Sequence, residues 1–134
     1  MLNPSTADEI ENDPTIARCA KRAKRLGFGG CIVVNVFAWR STDPGQLLKC
    51  DDPVGEANNY HILACAKKAA LIICGWGEHA SIPGWSGRSR HSEVIRLLRS
   101  YTLHCLVRNQ SGYPGHPLYI GYAVKPFLYR LPRA

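Results

Sequence analysis

The chain has 134 residues, 46% hydrophobic and 20% charged, with seventeen Lys and Arg against ten Asp and Glu for a net charge of +7. That length fits one globular domain, 1–134, with a real core, and excludes two. No apolar run approaches the roughly 18 residues of a transmembrane helix, and the acidic start MLNPSTADEIEND lacks the basic-then-apolar pattern of an export signal; a cytoplasmic monomer without a membrane partner is expected.

Taken in chain order, Asp13-Pro14 sets an N-cap before a proline at the first helical position, and Gly27 follows Leu26 as a stop. Between them Arg18, Lys21, Arg22, Lys24 and Arg25 surround a narrow stripe of Ile16, Cys19, Ala20 and Ala23, which reads as a solvated helix face. CIVVNVF, residues 31–37, is a continuous β-branched run of the kind that forms a buried strand. DPGQLLK reads as a loop with at most one helical turn. A second helix is predicted from about Gly55 to Lys68, with Ile62, Leu63 and Ala66 on its apolar side. AALIICGW is a second buried strand ending at Trp76-Gly77, and EHASIPGWSGRSR a surface loop. SEVIRLLRS is a third helix and TLHCLVR a third strand; turns at Ser111-Gly112 and Pro114-Gly115 then lead into HPLYIGYAV.

This alternation predicts a three-layer α/β/α domain around a small, mainly parallel sheet. Ligands in such sheets bind beyond the carboxyl ends of the strands. Asn35 late in the first strand, Trp76 and Gly77 ending the second, and His116 after the third are therefore expected on one rim. An amide inside CIVVNVF has a plain structural reading too, because a buried amide must satisfy its hydrogen bonds, and a ligand edge is one way to do so. None of the six cysteines forms a Cys-x-x-Cys pair, and His61 with Cys65 supplies only two ligands on one helix face, so reduced core thiols are expected, with no metal and no cofactor. The basic balance favours polyanionic partners.

Four segments in order resemble the uracil-DNA glycosylase superfamily: LNPST at Leu2–Thr6, VVNVFAWR around Asn35, WGEHA at Trp76–Ala80 and GHPLY at Gly115–Tyr119. A pattern of MLNPSTAD, DPT, VVN-F, TDP, WG-H and HPLY over nearly the whole chain further identifies it as similar to a bacterial and phage family, domain of unknown function 1643. The resemblance implies a uracil-DNA-glycosylase-like fold in which a buried central strand leads into the Asn-Pro motif. Only Met1 and Leu2 precede Asn3, so that first strand is expected to be missing, with a gap between the strand holding Asn35 and the strand ending at Trp76.

The same resemblance implies a site. Asn3 would hold a water, Asp8 would orient it or act as auxiliary base, and His116 would donate to a departing base. Asn35 would read the base, with Pro4, Ser5, Phe37, Trp76, Gly77 and His79 around it; Phe37 or Trp39 would stack on the base, although core packing is the slightly preferred reading of both. Leu118 and Tyr119 would be short wedges, and Arg40, Arg88 and Arg90 would meet phosphates. LNPST lacks the carboxylate form of the most active glycosylases, and GHPLY lacks the serine and second proline of the longer wedge loop, which turns attention to nucleotides, RNA or single strands. Two functions stay open: a glycosylase-like enzyme (an N-glycosylase, hence a hydrolase) acting on a base in nucleic acid or a nucleotide, and a non-catalytic nucleic-acid or nucleotide-binding module. A hydrolase with a Cys or Asp nucleophile is a weaker third, because no cysteine has a partner histidine at a recognisable spacing.

Overall fold

The computed structural model describes Met1 and residues 13–38, 51–84 and 89–130. Among these residues the order is α1 (Pro14–Arg25), α2 (Asn58–Lys68), β1 (Ile72–Cys74), α3 (Arg90–Leu97), β2 (Leu103–Cys105) and β3 (Phe127–Leu128). The class is α/β.

Helix α1 begins where its sequence dictates. The Asp13 carboxylate accepts from the Thr15 and Ile16 N–H groups at 2.8 and 3.2 Å, and Pro14 needs no acceptor. The helix ends at its C-cap Leu26, one residue before Gly27. Helix α2 starts at Asn58, three residues later than Gly55, because the Asp52 carboxylate and the Gly55 carbonyl first close a turn over residues 52–58. Ser89 caps α3 by accepting from Ser92 N–H.

The sheet has the order β1-β2-β3 and corrects the expectation of a mainly parallel one. β1 and β2 run parallel, Ile73 opposite His104 and Cys74 opposite Cys105, whereas β3 returns antiparallel with Phe127 opposite Cys105. The reason is length: HPLYIGYAV makes a 3-10 turn at Pro117–Tyr119 and carries the chain back along β2 without a crossover helix. A second correction concerns 31–37, which forms no named strand. A strand exists only through its ladder, and the parallel rung described on this segment is made with a single residue: the Met1 nitrogen donates to the Val34 carbonyl and the Val36 N–H to the Met1 carbonyl, both at 2.8 Å, flanking Asn35. Ile32 in consequence is 61% exposed.

The core gathers Val36, Phe37, Ile62, Trp76, Val94, Leu98 and Cys105 around β1 and β2. Arg22, expected on a solvated face, is buried: its guanidinium donates to the carbonyls of Ile120, Gly121 and Val124, and Arg18 shares the Ile120 carbonyl. Arg18, Lys21, Arg22 and Arg25 all lie over the Tyr122 ring. No helix among the described residues is long and apolar enough to cross a membrane.

Candidate functional site

A cavity of about 530 Å³ opens between two walls, residues 28–36 on one side and 69–76 on the other. Met1, Asn35, Trp76 and Pro117 line it, whereas Gly77 and His116, expected on the same rim, are not among its lining residues. Two glycines set the approach of the chain here. A Cβ on Gly75 would come within 3.1 Å of the Pro117 ring and 3.4 Å of the Gly115 carbonyl, so a side chain there would push the GHP turn away by a few tenths of an ångström. Gly77 has φ +74 and ψ −164, a conformation confined essentially to glycine, and its N–H donates to the Pro114 carbonyl at 2.9 Å.

Asn35 is the polar group on this wall with an unmet need. Its Oδ1 is buried and has no hydrogen-bond partner, while its own carbonyl accepts from Asn58 Nδ2 at 2.9 Å. The backbone is thus pinned on both sides, by Asn58 and by Met1, and the side-chain oxygen is left over.

His116 stands at the N-cap of the Pro117–Tyr119 turn and is exposed, its Nδ1 accepting from Leu118 N–H at 3.2 Å. That bond places the ring's single proton on Nε2, as a donor. Partial desolvation, then the like charge of the Met1 ammonium, hold its pKa below the usual histidine value, and Asp13 opposes them. The neutral donor form is therefore favoured at neutral pH.

Several other expected site residues are engaged by the protein itself or stand exposed. Phe37 is fully buried and packs the core, closing it to a stacked base. Trp76 is buried with its indole N–H donated to His91 Nδ1 at 2.9 Å, so its polar edge is spent on the protein. Arg90, expected at phosphates, is 1% exposed; its guanidinium donates to the Val36 carbonyl and to Asn59 Oδ1, both at 2.7 Å, with Glu93 at 3.6 Å. His79 is exposed in the 3-10 turn Glu78–Ser81, Leu118 is half-buried, and Tyr119 stands free at 92% exposure. Asn3, Pro4, Ser5, Asp8, Trp39, Arg40 and Arg88 lie outside the described residues.

Sequence reasoning missed His91, which sits against Trp76, Tyr113 and Tyr129 and positions the Trp76 indole. It also missed the adjacent Asn58-Asn59, whose side chains hold Asn35 and Arg90; two amides opening a helix were the available signal. Burial raises the pKa of Cys19, Cys31 and Cys105, and pushes Cys74 up to about 12, which disfavours the thiolate at these four positions. Among the described residues no cluster of three or more His, Cys, Asp or Glu could hold a metal ion.

An α/β domain whose cavity is lined by Asn35, Trp76 and Pro117 defines the class. The chain belongs to the family described as "Protein of unknown function (DUF1643)", which matches residues 1–118. No curated protein and no solved structure matches the chain.

Proposed function

We propose that the rim binds a nucleobase and that the chain hydrolyses an N-glycosidic bond. The observation that carries this reading is the orphaned Asn35 Oδ1, a buried acceptor on the cavity wall that a base N–H would satisfy. His116 supports it, since a neutral ring with Nε2–H outward is suited to donate to a base oxygen as negative charge grows there. In the reaction a water oxygen bonds to the anomeric carbon, the carbon–nitrogen bond breaks, and its electron pair leaves on the base. The water's proton passes to solvent or to Asp8, and Asn3 orients the water. Tyr119, exposed at the end of the turn, supplies a stacking surface for a neighbouring base.

The test incubates the protein with single-stranded oligonucleotides and nucleosides bearing uracil and other altered bases, and scores abasic sites and released base. Release that falls at least about tenfold in both Asn35→Ala and His116→Ala supports the enzyme, in line with the usual size of a single polar catalytic contribution. Binding that depends on Asn35 without any release makes the chain a binding module instead. Neither binding nor release removes nucleobases as ligands.

A further inference from the structure

We propose that the outer face of α1, together with Tyr119 and Tyr122, is a docking surface for the phosphodiester backbone of a single-stranded nucleic acid. The charged ends of Arg18, Lys21, Arg22 and Arg25 lie 4.5, 5.1, 5.3 and 4.8 Å from the centre of the Tyr122 ring. No two of them can then be more than about 10 Å apart, which is one Debye length at about 0.1 M salt, so their fields add. The acceptors that Arg18 and Arg22 find, at Ile120, Gly121 and Val124, are neutral carbonyls, which orient the guanidiniums without cancelling their charge. The pKa of Arg22 is held down by burial first and then by the like charge of Arg18, a repulsion that a bound anion would relieve.

Shape gives the patch a direction. Residues 18, 21 and 25 share one face of the helix, and seven positions at about 1.5 Å each make a row of about 10 Å, the length of about three nucleotides at about 3.4 Å apiece. Arg22 is buried, so Lys21 and Arg25, both exposed, and the half-buried Arg18 are the groups that reach a phosphate. Tyr119 stands 92% exposed, one residue before the Ile120 carbonyl that Arg18 and Arg22 both hold. The grip that fixes the cations therefore also fixes the aromatic ring beside them. A basic row next to an exposed aromatic is the combination with which single-strand binders hold backbone and bases.

Arg18, Lys21, Arg25, Tyr119 and Tyr122 stand outside the lining of the cavity assigned to a nucleobase. The two sites are thus separate, and this one makes the ligand a strand rather than a nucleoside, whether or not a base is cleaved. The same face is poorly made for a lipid surface. Ile16 is half-buried, and the apolar groups that α1 exposes are the small ones, Pro14, Ala17 and Ala20. A bilayer would meet charge there with no large side chain to insert.

The experiment titrates the 134-residue chain into a labelled oligothymidylate of about twelve nucleotides and follows anisotropy from about 50 to about 200 mM salt. Lys21→Ala with Arg25→Ala is expected to weaken binding at least about tenfold at the lower salt and to reduce the slope of log affinity on log salt by about 1.4. Tyr119→Ala, on a different element, is expected to weaken binding at least about fivefold and to leave that slope unchanged. Arg96→Ala with Arg99→Ala removes the same charge from exposed positions at the end of α3 and is expected to change affinity less than about threefold. Equal losses in the two double variants overturn the proposal, because net charge alone then governs binding. So does displacement of the strand by free thymidine, which would seat it in the cavity, or equal competition from polyglutamate, which would make the partner an acidic protein. Binding to phosphatidylserine vesicles with none to the oligonucleotide overturns it as well. The readout is binding of an intact strand, so absence of base release leaves this proposal standing, and failure here leaves release from a nucleoside standing.

Discussion

Asn35 and His91 carry opposite kinds of unpaired nitrogen and oxygen, and each makes a distinct demand. A buried acceptor without a partner costs about 1 to 3 kcal/mol, so Asn35→Ala is expected to leave stability unchanged or to raise it by up to about 1 kcal/mol. A structural amide would behave in the opposite way. Urea unfolding of the variant beside its loss of nucleobase binding separates the two. His91 is 3% exposed, and burial lowers its pKa from 6.5. The unfolded chain takes up that proton first as the pH falls. Stability due to the neutral ring is therefore whole above 6.5 and is lost as the pH drops through the lower folded value. Tm should decline between about pH 7 and pH 5, and His91→Asn, which keeps an acceptor for the Trp76 indole, should flatten that decline.

At the level of elements, the corner after β1 and the first turn of α3 hold the rim in place. Gly77→Ala forces a side chain into a glycine-only conformation and should cost about 1 to 3 kcal/mol, measured by thermal unfolding. Arg90→Met removes the charged donors that tie α3 to the Val36 carbonyl and to α2 through Asn59. A loss of about 2 to 4 kcal/mol is expected in urea unfolding, because Asn59 Oδ1 is left without this donor inside the protein. Local signals made helix α1 legible to within a residue, since Asp13, Pro14 and Gly27 act within one turn of the chain. The same reading failed at 31–37 because β-branching sets a preference for a ladder, while the ladder depends on a neighbour elsewhere in the sequence. Of the residues expected on one rim, Asn35 and Trp76 share a cavity wall, while Gly77 and His116 stand outside its lining because turns, not strand ends, set their positions. Arg90 was misjudged because a charge counts as surface until a carbonyl and an amide are found to receive it.

Across the whole molecule the charge of +7 has a measurable consequence if the rim faces nucleic acid. Three phosphate contacts to a single strand would weaken binding about twentyfold between 50 and 200 mM salt, read as the slope of log affinity on log salt. A flat salt dependence would shift the ligand towards a free base or nucleoside. The grip of Arg22 on Ile120, Gly121 and Val124 has a consequence of another kind, one that unfolds in time. Its partners lie 98 to 102 positions further along the chain. As the polypeptide emerges during synthesis, α1 has to wait for nearly all that follows before its guanidinium finds a receiver. Until then the Arg22 side chain stays in water and the apolar stripe beside it stays uncovered. Helix α1, made early, is thus among the last pieces to dock, and the interval between the two events is when this chain is most open to capture by a chaperone or to association with its own copies.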